Sequence, residues 1–368
     1  MNTFKYQKII FFCFSIIFLF LTNNFFTYDE TIIYGAADGE TYFKIANESP
    51  NFLKEELPYH KAQRFIFPYI IGLISNYSEI KTFYIFRILS TFFLVFNFIL
   101  FAKILNEIKA TKNEQFFLLS LLIFNPYITR YFLAEPTMVN DIIFIFSGTI
   151  FLFSFLRKNS FFLVISILFA SATRINAIFF ICALILGKII YKKKFNHSFI
   201  SIFFCTVIFI LINFMNSFHA NISGLQENNA FNAEVRLGIF FVNYSLKEFL
   251  IFILIPVLNF LPLFFIPFLL KFQIPEKKNS ILIISIIIII LNAGVAIVAG
   301  PVVTGKNIIR LINLSYPFIL YFVFTFIRNR SINLKRKLIF VIFLIFWSLH
   351  PTYSNVNIFL PLSKIFGY

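Results

Sequence analysis

Long apolar segments alternate with short basic clusters along nearly the whole chain. Segments of this length and hydropathy predict transmembrane helices, since about 20 apolar residues cross a bilayer. We predict an all-α polytopic membrane protein with about eleven crossings and a cytoplasmic N-terminus. The predicted crossings are 8–22, 82–104, 115–130, 137–156, 160–173, 175–191, 199–216, 249–270, 280–299, 311–327 and 338–350.

Two segments depart from this simple pattern. Residues 65–76 are too short for a square crossing, and counting them as one would place the next basic cluster outside, so we predict a juxtamembrane or re-entrant helix. Residues 160–191 have basic residues at both ends and must cross an even number of times. We therefore predict two short helices with a hinge between Ser171 and Asn176.

Composition supports a bilayer as the solvent of this chain. Of its 368 residues, 59% are hydrophobic and only 13% are charged, with a mean hydropathy of +0.85. A water-soluble shell cannot cover that much apolar surface. We predict a single integral membrane domain over residues 1–368, with elaborated outer loops and no soluble domain.

The net charge of +16 is explained by membrane orientation. The basic residues occur in clusters between apolar segments, as the positive-inside rule requires, and not as the basic stripe with exposed aromatics of a nucleic-acid-binding face. In the predicted topology the cytoplasmic side carries the whole excess of positive charge. We expect membrane lipids as partners, no nucleic acid, and a multi-pass location in a bacterial inner membrane.

The first outer loop carries an acid at the start of an amphipathic pattern. Asp38 is followed by Tyr42, Ile45 and Ala46, which share one face at helical spacing. This pattern predicts a helix lying on the membrane with Asp38 at its N-terminus. Asp38 could simply cap that helix, or it could take a proton from an acceptor or bind a metal.

A second acid, Glu135, is predicted at the outer tip between two crossings. Pro136 restricts Glu135 to extended backbone, which would break the helix and turn the carboxylate towards an outer cavity. The alternative is a solvated loop residue. Asp141, further along, is expected to be a structural polar residue of the following helix.

Cationic side chains on the same predicted side could bind an anionic group. Arginine is suited to phosphate because its planar fork donates two hydrogen bonds together. Each cation could instead be an interfacial residue whose charged end reaches water. His60 could act as an acid or base, although a single loop histidine is usually incidental. The candidate cations are Arg64, Arg174, Lys306 and Arg310.

Several of these stretches resemble the GT-C superfamily of membrane glycosyltransferases. ADGETYFKIA followed by HKAQRFIFPYIIGLI resembles the first outer loop of that superfamily, and AEPTM at 134–138 is similar to its second acidic element. TRIN at 173–176 resembles the tip between two short helices, and GKNIIRLINLSYPF at 305–318 resembles a late basic element.

The resemblance implies a GT-C-like fold and a polyprenyl-phosphate-linked sugar donor used on the non-cytoplasmic face. Asp38 would be the general base, and Glu135 would assist it or help to hold a divalent cation such as Mg or Mn. The acceptor would be a glycan, a lipid or a protein. The implied substrate-binding residues are Arg64, Arg174, Lys306, Arg310, Tyr42 and His60.

Two other functions remain open on the sequence. A transporter or flippase of lipid-linked saccharides would also need outer cations, but it typically has halves related by repeat, which this chain lacks. A saccharide polymerase or ligase would centre on a large outer loop rich in Arg and His. The corresponding loop, 217–248, has only Arg236 and His219 as obvious candidates.

Overall fold

A computed structural model describes a predominantly helical protein, which confirms the all-α class. The predicted crossing at 8–22, part of the one at 249–270 and most of the outer loop at 217–248 lie outside the described residues. The structure describes residues 37–53, 57–191, 195, 197–225, 254, 256–257, 260–274, 279–304, 308–328 and 334–348.

The first half of the described chain runs from the outer-loop helices into the long apolar ones. A π-helical turn at Pro126–Arg130 and a 3-10 turn at Pro136–Met138 interrupt the helices there. The elements are α1 Ala37–Glu48, β1 Leu57–Pro58, α2 Tyr59–Ala62, α3 Ile66–Ser78, α4 Thr82–Glu107, α5 Lys112–Phe124, α6 Tyr131–Ala134 and α7 Val139–Arg157.

The second half continues with helices and three further two-residue strands. β1 pairs with β2 in parallel, and β3 pairs with β4 in antiparallel register. The elements are α8 Ser160–Thr173, α9 Ile178–Tyr191, α10 Phe199–Ser223, β2 Gly224–Leu225, α11 Leu261–Leu269, β3 Lys271–Phe272, α12 Ser280–Thr304, α13 Ile308–Asn313, α14 Tyr316–Phe326, β4 Ile327–Arg328 and α15 Leu334–Ser348.

Several helices are long and apolar enough to span a membrane, which marks the chain as a membrane protein. Within the described ranges there are four, and a fifth if α5 and the helical turn after it, bent by 47°, form one span. The total of about eleven crossings stays a prediction. The four spans are Thr82–Glu107, Pro136–Arg157, Phe199–Ile222 and Ser280–Ile297.

The span that contains α7 is the centre of the bundle. Its most apolar stretch is 94% buried, against 44% for α4 and 17% for α10. It packs against α4, α8 and α14. Gly148 permits the last contact, because a Cβ at that position would lie 3.0 Å from the Phe318 ring. The same helix therefore carries its first-turn acid, Asp141, into the middle of the protein.

The hinge predicted between Ser171 and Asn176 is confirmed. α8 ends at Thr173, Arg174 has extended backbone, and a 3-10 turn at Ile175–Ala177 leads into α9. Contacts place the far ends of both helices at one end of the bundle. Ser160 on α8 hydrogen-bonds Ser201 of α10 at 2.8 Å, and Lys188 on α9 donates to the carbonyl oxygen of His197 at 3.2 Å.

The amphipathic helix predicted after Asp38 is present as α1. Tyr42, Ile45 and Ala46 are buried on one face, as the spacing predicted. That face packs against other helices of the protein, and the location of α1 on the membrane surface stays a prediction. α1 packs against α3, α4 and the Pro136–Met138 turn. The contact with α3 is close because Gly72 lets the backbone of α3 approach the carbonyl oxygen of Ala46.

The segment predicted not to span forms α3, a 13-residue helix. At a rise of 1.5 Å per residue its length is about 20 Å, well below the roughly 30 Å of a bilayer core. α3 therefore serves as a support for α1 at one end of the bundle.

Candidate functional site

Six charged side chains meet at the end of the bundle that carries α1. They come from five separate parts of the chain, and each lies at or near the end of a helix. Glu107 and Arg157, which the predicted topology assigns to the cytoplasm, pair at the opposite end of the bundle. The end that carries α1 is therefore the predicted non-cytoplasmic end. The charged cluster comprises Asp38, Lys61, Arg64, Asp141, Arg174 and Arg310.

Asp141 is the floor of the charged cluster. Its Oδ1 accepts hydrogen bonds from Nε and Nη2 of Arg174 at 2.8 and 2.5 Å, and its Oδ2 accepts one from Nε of Arg310 at 2.5 Å. Both guanidinium groups thus approach a single carboxylate that has no exposed surface. Arg174 can reach it because the break after α8 places this residue at the tip of the hinge.

Arg310 joins the floor of the cluster to its outer edge. While its Nε donates to Asp141, its Nη2 donates to Oδ2 of Asp38 at 2.6 Å. One guanidinium therefore connects α13 with both α7 and α1. Asp38 and Asp141 each lie in the first turn of their helix, where the helix dipole also favours a negative charge.

Two further cations surround Asp38. Lys61 Nζ lies 3.5 Å from Oδ1 and Arg64 Nη1 lies 3.5 Å from Oδ2, longer than the contact from Arg310. Arg64 Nη1 also donates a hydrogen bond to the Tyr42 hydroxyl oxygen at 3.1 Å. Tyr42 is thereby a support for Arg64, held in place by its burial on the inner face of α1.

The charged cluster has two positive charges in excess. Four cations face two carboxylates, and the acids are already paired with the most buried cations. Exposure rises from 0% and 2% at Asp141 and Arg174 to 16% and 17% at Asp38 and Arg64. The cluster thus has a closed floor and a partly open, positively charged edge, which is the arrangement expected of an anion-binding site.

The ionisation of Asp38 is set by these neighbours. Burial alone would raise its pKa, but the positive charges of Arg310, Arg64 and Lys61 hold the pKa well below its usual range. The carboxylate is therefore ionised at neutral pH. Burial raises the pKa of Tyr42, which keeps its phenol protonated.

Glu135 does not join the charged cluster. It is 1% exposed, and within the described part of the chain neither carboxylate oxygen has a hydrogen-bond partner. The prediction that Pro136 breaks the helix is confirmed, but the carboxylate is buried rather than turned to an open outer cavity. Burial raises the pKa of Glu135 well above its usual value, which favours the neutral acid.

Two predicted site residues remain, of which one lies near the charged cluster and the other lies outside the described residues. His60 on α2 is partly buried beside the charged cluster, and burial together with the positive charge of Arg64 lowers its pKa to about 4. The imidazole is therefore neutral at pH 7. Lys306 lies outside the residues that the structure describes.

The divalent cation expected from the resemblance lacks a matching set of ligands. Among the described side chains, no group of three or more His, Cys, Asp or Glu residues could hold a metal ion. The carboxylates of Asp38 and Asp141 face guanidinium groups, whose charge opposes a second cation. A metal stays a prediction without support from these residues.

An open apolar groove of about 460 Å³ lies next to α13. Ile312, two residues after Arg310 on α13, forms one of its walls. No polar surface lines it. Its lining residues are Pro256, Val257, Phe260, Ile286, Ile289, Ile290, Ile312, Ile319 and Phe322.

Two residues of the charged cluster were not among the predicted site residues. Asp141 was expected to be a structural polar residue, yet it holds two of the predicted arginines. An acid inside an apolar span is a functional candidate by default, and this signal could have identified it. Lys61 lies three residues before Arg64, and nothing in the sequence distinguished it from other loop lysines.

Comparison of the chain with models of protein families, with curated proteins and with solved structures found no match.

Proposed function

We propose that this protein is a membrane glycosyltransferase that takes a sugar from a polyprenyl-phosphate-linked donor on the non-cytoplasmic face. The observation that carries the proposal is the charged cluster, with its two excess positive charges and an ionised Asp38 at its open edge. A phosphate-bearing ligand would supply the missing negative charge. The resemblance of the loops to the GT-C superfamily supports the same function.

Arg64 and Arg310 are the residues that would bind the phosphate. Both lie at the open edge of the cluster, with side chains 17% and 10% exposed. When the sugar leaves its donor, negative charge grows on the phosphate, and fixed guanidinium groups stabilise that charge without reorganising. Arg174 would hold Asp141 in position from the buried floor, and Asp141 in turn would position Arg310.

Asp38 would act as the general base towards the acceptor. In the free protein the low pKa of Asp38 makes it a weak base, because its Oδ2 is paired with Nη2 of Arg310 at 2.6 Å. A bound phosphate would compete for Arg310 and Arg64, and the loss of these partners raises the basicity of the carboxylate. Donor binding would thus prepare Asp38 to take a proton.

The apolar groove beside α13 suits the lipid part of such a donor. It has no polar lining, and Ile312 of α13, two residues after Arg310, forms one of its walls. A ligand with an anionic head and an apolar chain could therefore place its phosphate at the cluster and its chain along α12 and α14.

The test is a transfer assay with purified protein in lipid nanodiscs, comparing Asp38→Asn with Glu40→Gln. Both acids lie in the first turn of α1, but Glu40 is 51% exposed and pairs with Lys44 on the same helix, so it is the matched control. We expect Asp38→Asn to lower the transfer rate about 10²–10⁴-fold, as loss of a general base does, and Glu40→Gln to leave it unchanged.

Donor binding must be measured in the same samples. Asp38→Asn raises the excess positive charge, so binding of a polyprenyl phosphate should be kept or strengthened while transfer is lost. Transfer at the wild-type rate by Asp38→Asn would refute the catalytic assignment. Binding with movement of the lipid across a vesicle membrane, and no transfer, would instead indicate the transporter.

A further inference from the structure

Four buried polar side chains close to the charged cluster have hydrogen-bonding atoms that no other described residue satisfies. They are only 0–2% exposed, and all lie within ten consecutive residues spanning α6, the Pro136–Met138 turn and the start of α7. Elsewhere such atoms are scattered along the chain. The atoms are the Tyr131 hydroxyl oxygen, both Glu135 carboxylate oxygens, Thr137 Oγ1 and Asn140 Oδ1.

This group is continuous with the charged cluster. Asn140 directly precedes Asp141, and its Nδ2 donates to the backbone oxygen of Arg64 at 3.0 Å. The turn that carries Thr137 packs against α1, the helix of Asp38. Tyr131 lies within electrostatic range of Glu135, Asp141 and Arg310.

Leaving these groups without partners is costly. A buried polar group that lacks a hydrogen bond destabilises a protein by about 1–3 kcal/mol, so several together at one place require an explanation. Sites that recognise hydroxyl groups have this property, since their polar atoms are paired only when the ligand is bound.

The chemistry of the four side chains suits a hydroxyl-rich ligand better than a charged one. Phenol, hydroxyl and neutral carboxyl groups can each donate and accept, as sugar hydroxyls do, and an amide oxygen accepts. Glu135 in its neutral form can also lie near a phosphate without repulsion. If Glu135 were ionised, its carboxylate would need a neighbouring cation. Among the described residues, neither of its oxygens has a hydrogen-bond partner.

We propose that Tyr131, Glu135, Thr137 and Asn140 form a sugar-binding subsite, which pairs with hydroxyl groups of the ligand whose phosphate binds at Arg64 and Arg310. The inference rests on the proposed function, and it assigns Glu135 a role in recognition rather than in proton transfer or metal binding. The ligand class is a hexose esterified to a lipid phosphate.

The experiment compares two probes on full-length protein in nanodiscs, a short-chain polyprenyl phosphate and its hexosyl ester. We expect Tyr131→Phe and Thr137→Val to weaken binding of the hexosyl ester about fivefold to tenfold, the effect of one hydrogen bond, and to change binding of the sugar-free lipid less than twofold. The subsite would be overturned if these variants weakened the binding of both probes equally, or if they weakened the binding of neither probe.

Glu135 provides the sharpest comparison. Glu135→Gln keeps a donor and an acceptor, so it should bind the hexosyl ester within about threefold of wild type, whereas Glu135→Leu should lose the preference for the sugar. If Glu135 acted as a carboxylate, the Gln variant would be as impaired as the Leu variant. That result would contradict the proposed role.

Matched substitutions are available at the opposite end of the bundle. Tyr321→Phe and Thr325→Val remove the same groups from side chains that bond Asn279 and the carbonyl oxygen of Phe322, and they should leave both probes unaffected. Failure of both lipids to bind wild type would overturn the proposed function, whereas sugar-independent binding of both would overturn only the subsite.

Discussion

The charged cluster predicts a large and specific stability cost at Asp141. Asp141→Asn removes the negative charge from a side chain with no exposed surface that accepts hydrogen bonds from Arg174 and Arg310. Both guanidinium groups would then lie close together without their shared carboxylate. Breaking a buried ion pair in this way costs about 3–5 kcal/mol of the free energy of unfolding.

The assay is equilibrium unfolding in mixed micelles, followed by circular dichroism during titration with a denaturing detergent. The matched control is Glu107→Gln, which breaks a carboxylate–guanidinium pair with Arg157 at the other end, where the two side chains are 32% and 54% exposed. That substitution should cost about 0–1 kcal/mol. The contrast isolates burial from the mere loss of an ion pair.

A second substitution tests whether the cost comes from uncompensated charge. Arg174→Gln in the Asp141→Asn background removes one of the two guanidinium groups left without a carboxylate. The double variant should therefore be more stable than the sum of the single changes predicts, by about 2 kcal/mol. Strict additivity, or an Asp141→Asn cost no larger than that of the exposed control, would refute the reasoning.

Three further predictions concern the surroundings of this site. Burial raises the pKa of Glu135, so the folded state keeps this proton at pH values above the unfolded pKa of about 4.3. The free energy of unfolding should therefore fall as the pH rises from there, and Glu135→Gln should flatten its dependence on pH. Arg310→Gln should raise the depressed pKa of Asp38, so that the Asp38 contribution to stability, present above about pH 4, is lost at a higher pH during acid titration. Gly72→Ala should cost more than about 2 kcal/mol, since its Cβ would lie 1.9 Å from a carbonyl oxygen of α1, whereas Gly294→Ala, with nothing within 4 Å, should be neutral or stabilising by thermal unfolding.

The local features of the site were readable from the sequence. The 3.6-residue spacing of Tyr42 and Ala46 predicted α1, and a span flanked by basic residues on both sides predicted the break at Arg174. These features depend on neighbours a few residues apart, so periodicity and charge order suffice to find them.

The pairing of the charges could not be read in the same way. Arg310 contacts residues 169 and 272 positions earlier, and the choice among many outer cations and acids is made by helix packing. Glu135 was misplaced for a related reason. Pro136 correctly predicts a break in the helix, but whether a broken helix end faces water or protein depends on α1 and α4, which pack over the turn.

The bridge made by Arg310 also imposes an order on assembly. Asp141 and Arg174 can pair soon after both are made, but Arg310 follows Asp141 by 169 positions. At 5–20 residues per second, roughly ten to thirty seconds of synthesis separate the two. During that time α1 can already pack against α3, α4 and the Pro136–Met138 turn, but Asp38 lacks its contact with Arg310. The outer edge of the cluster is thus completed late, and a nascent chain halted before α13 is inserted would lack the phosphate site even with its central helices already packed.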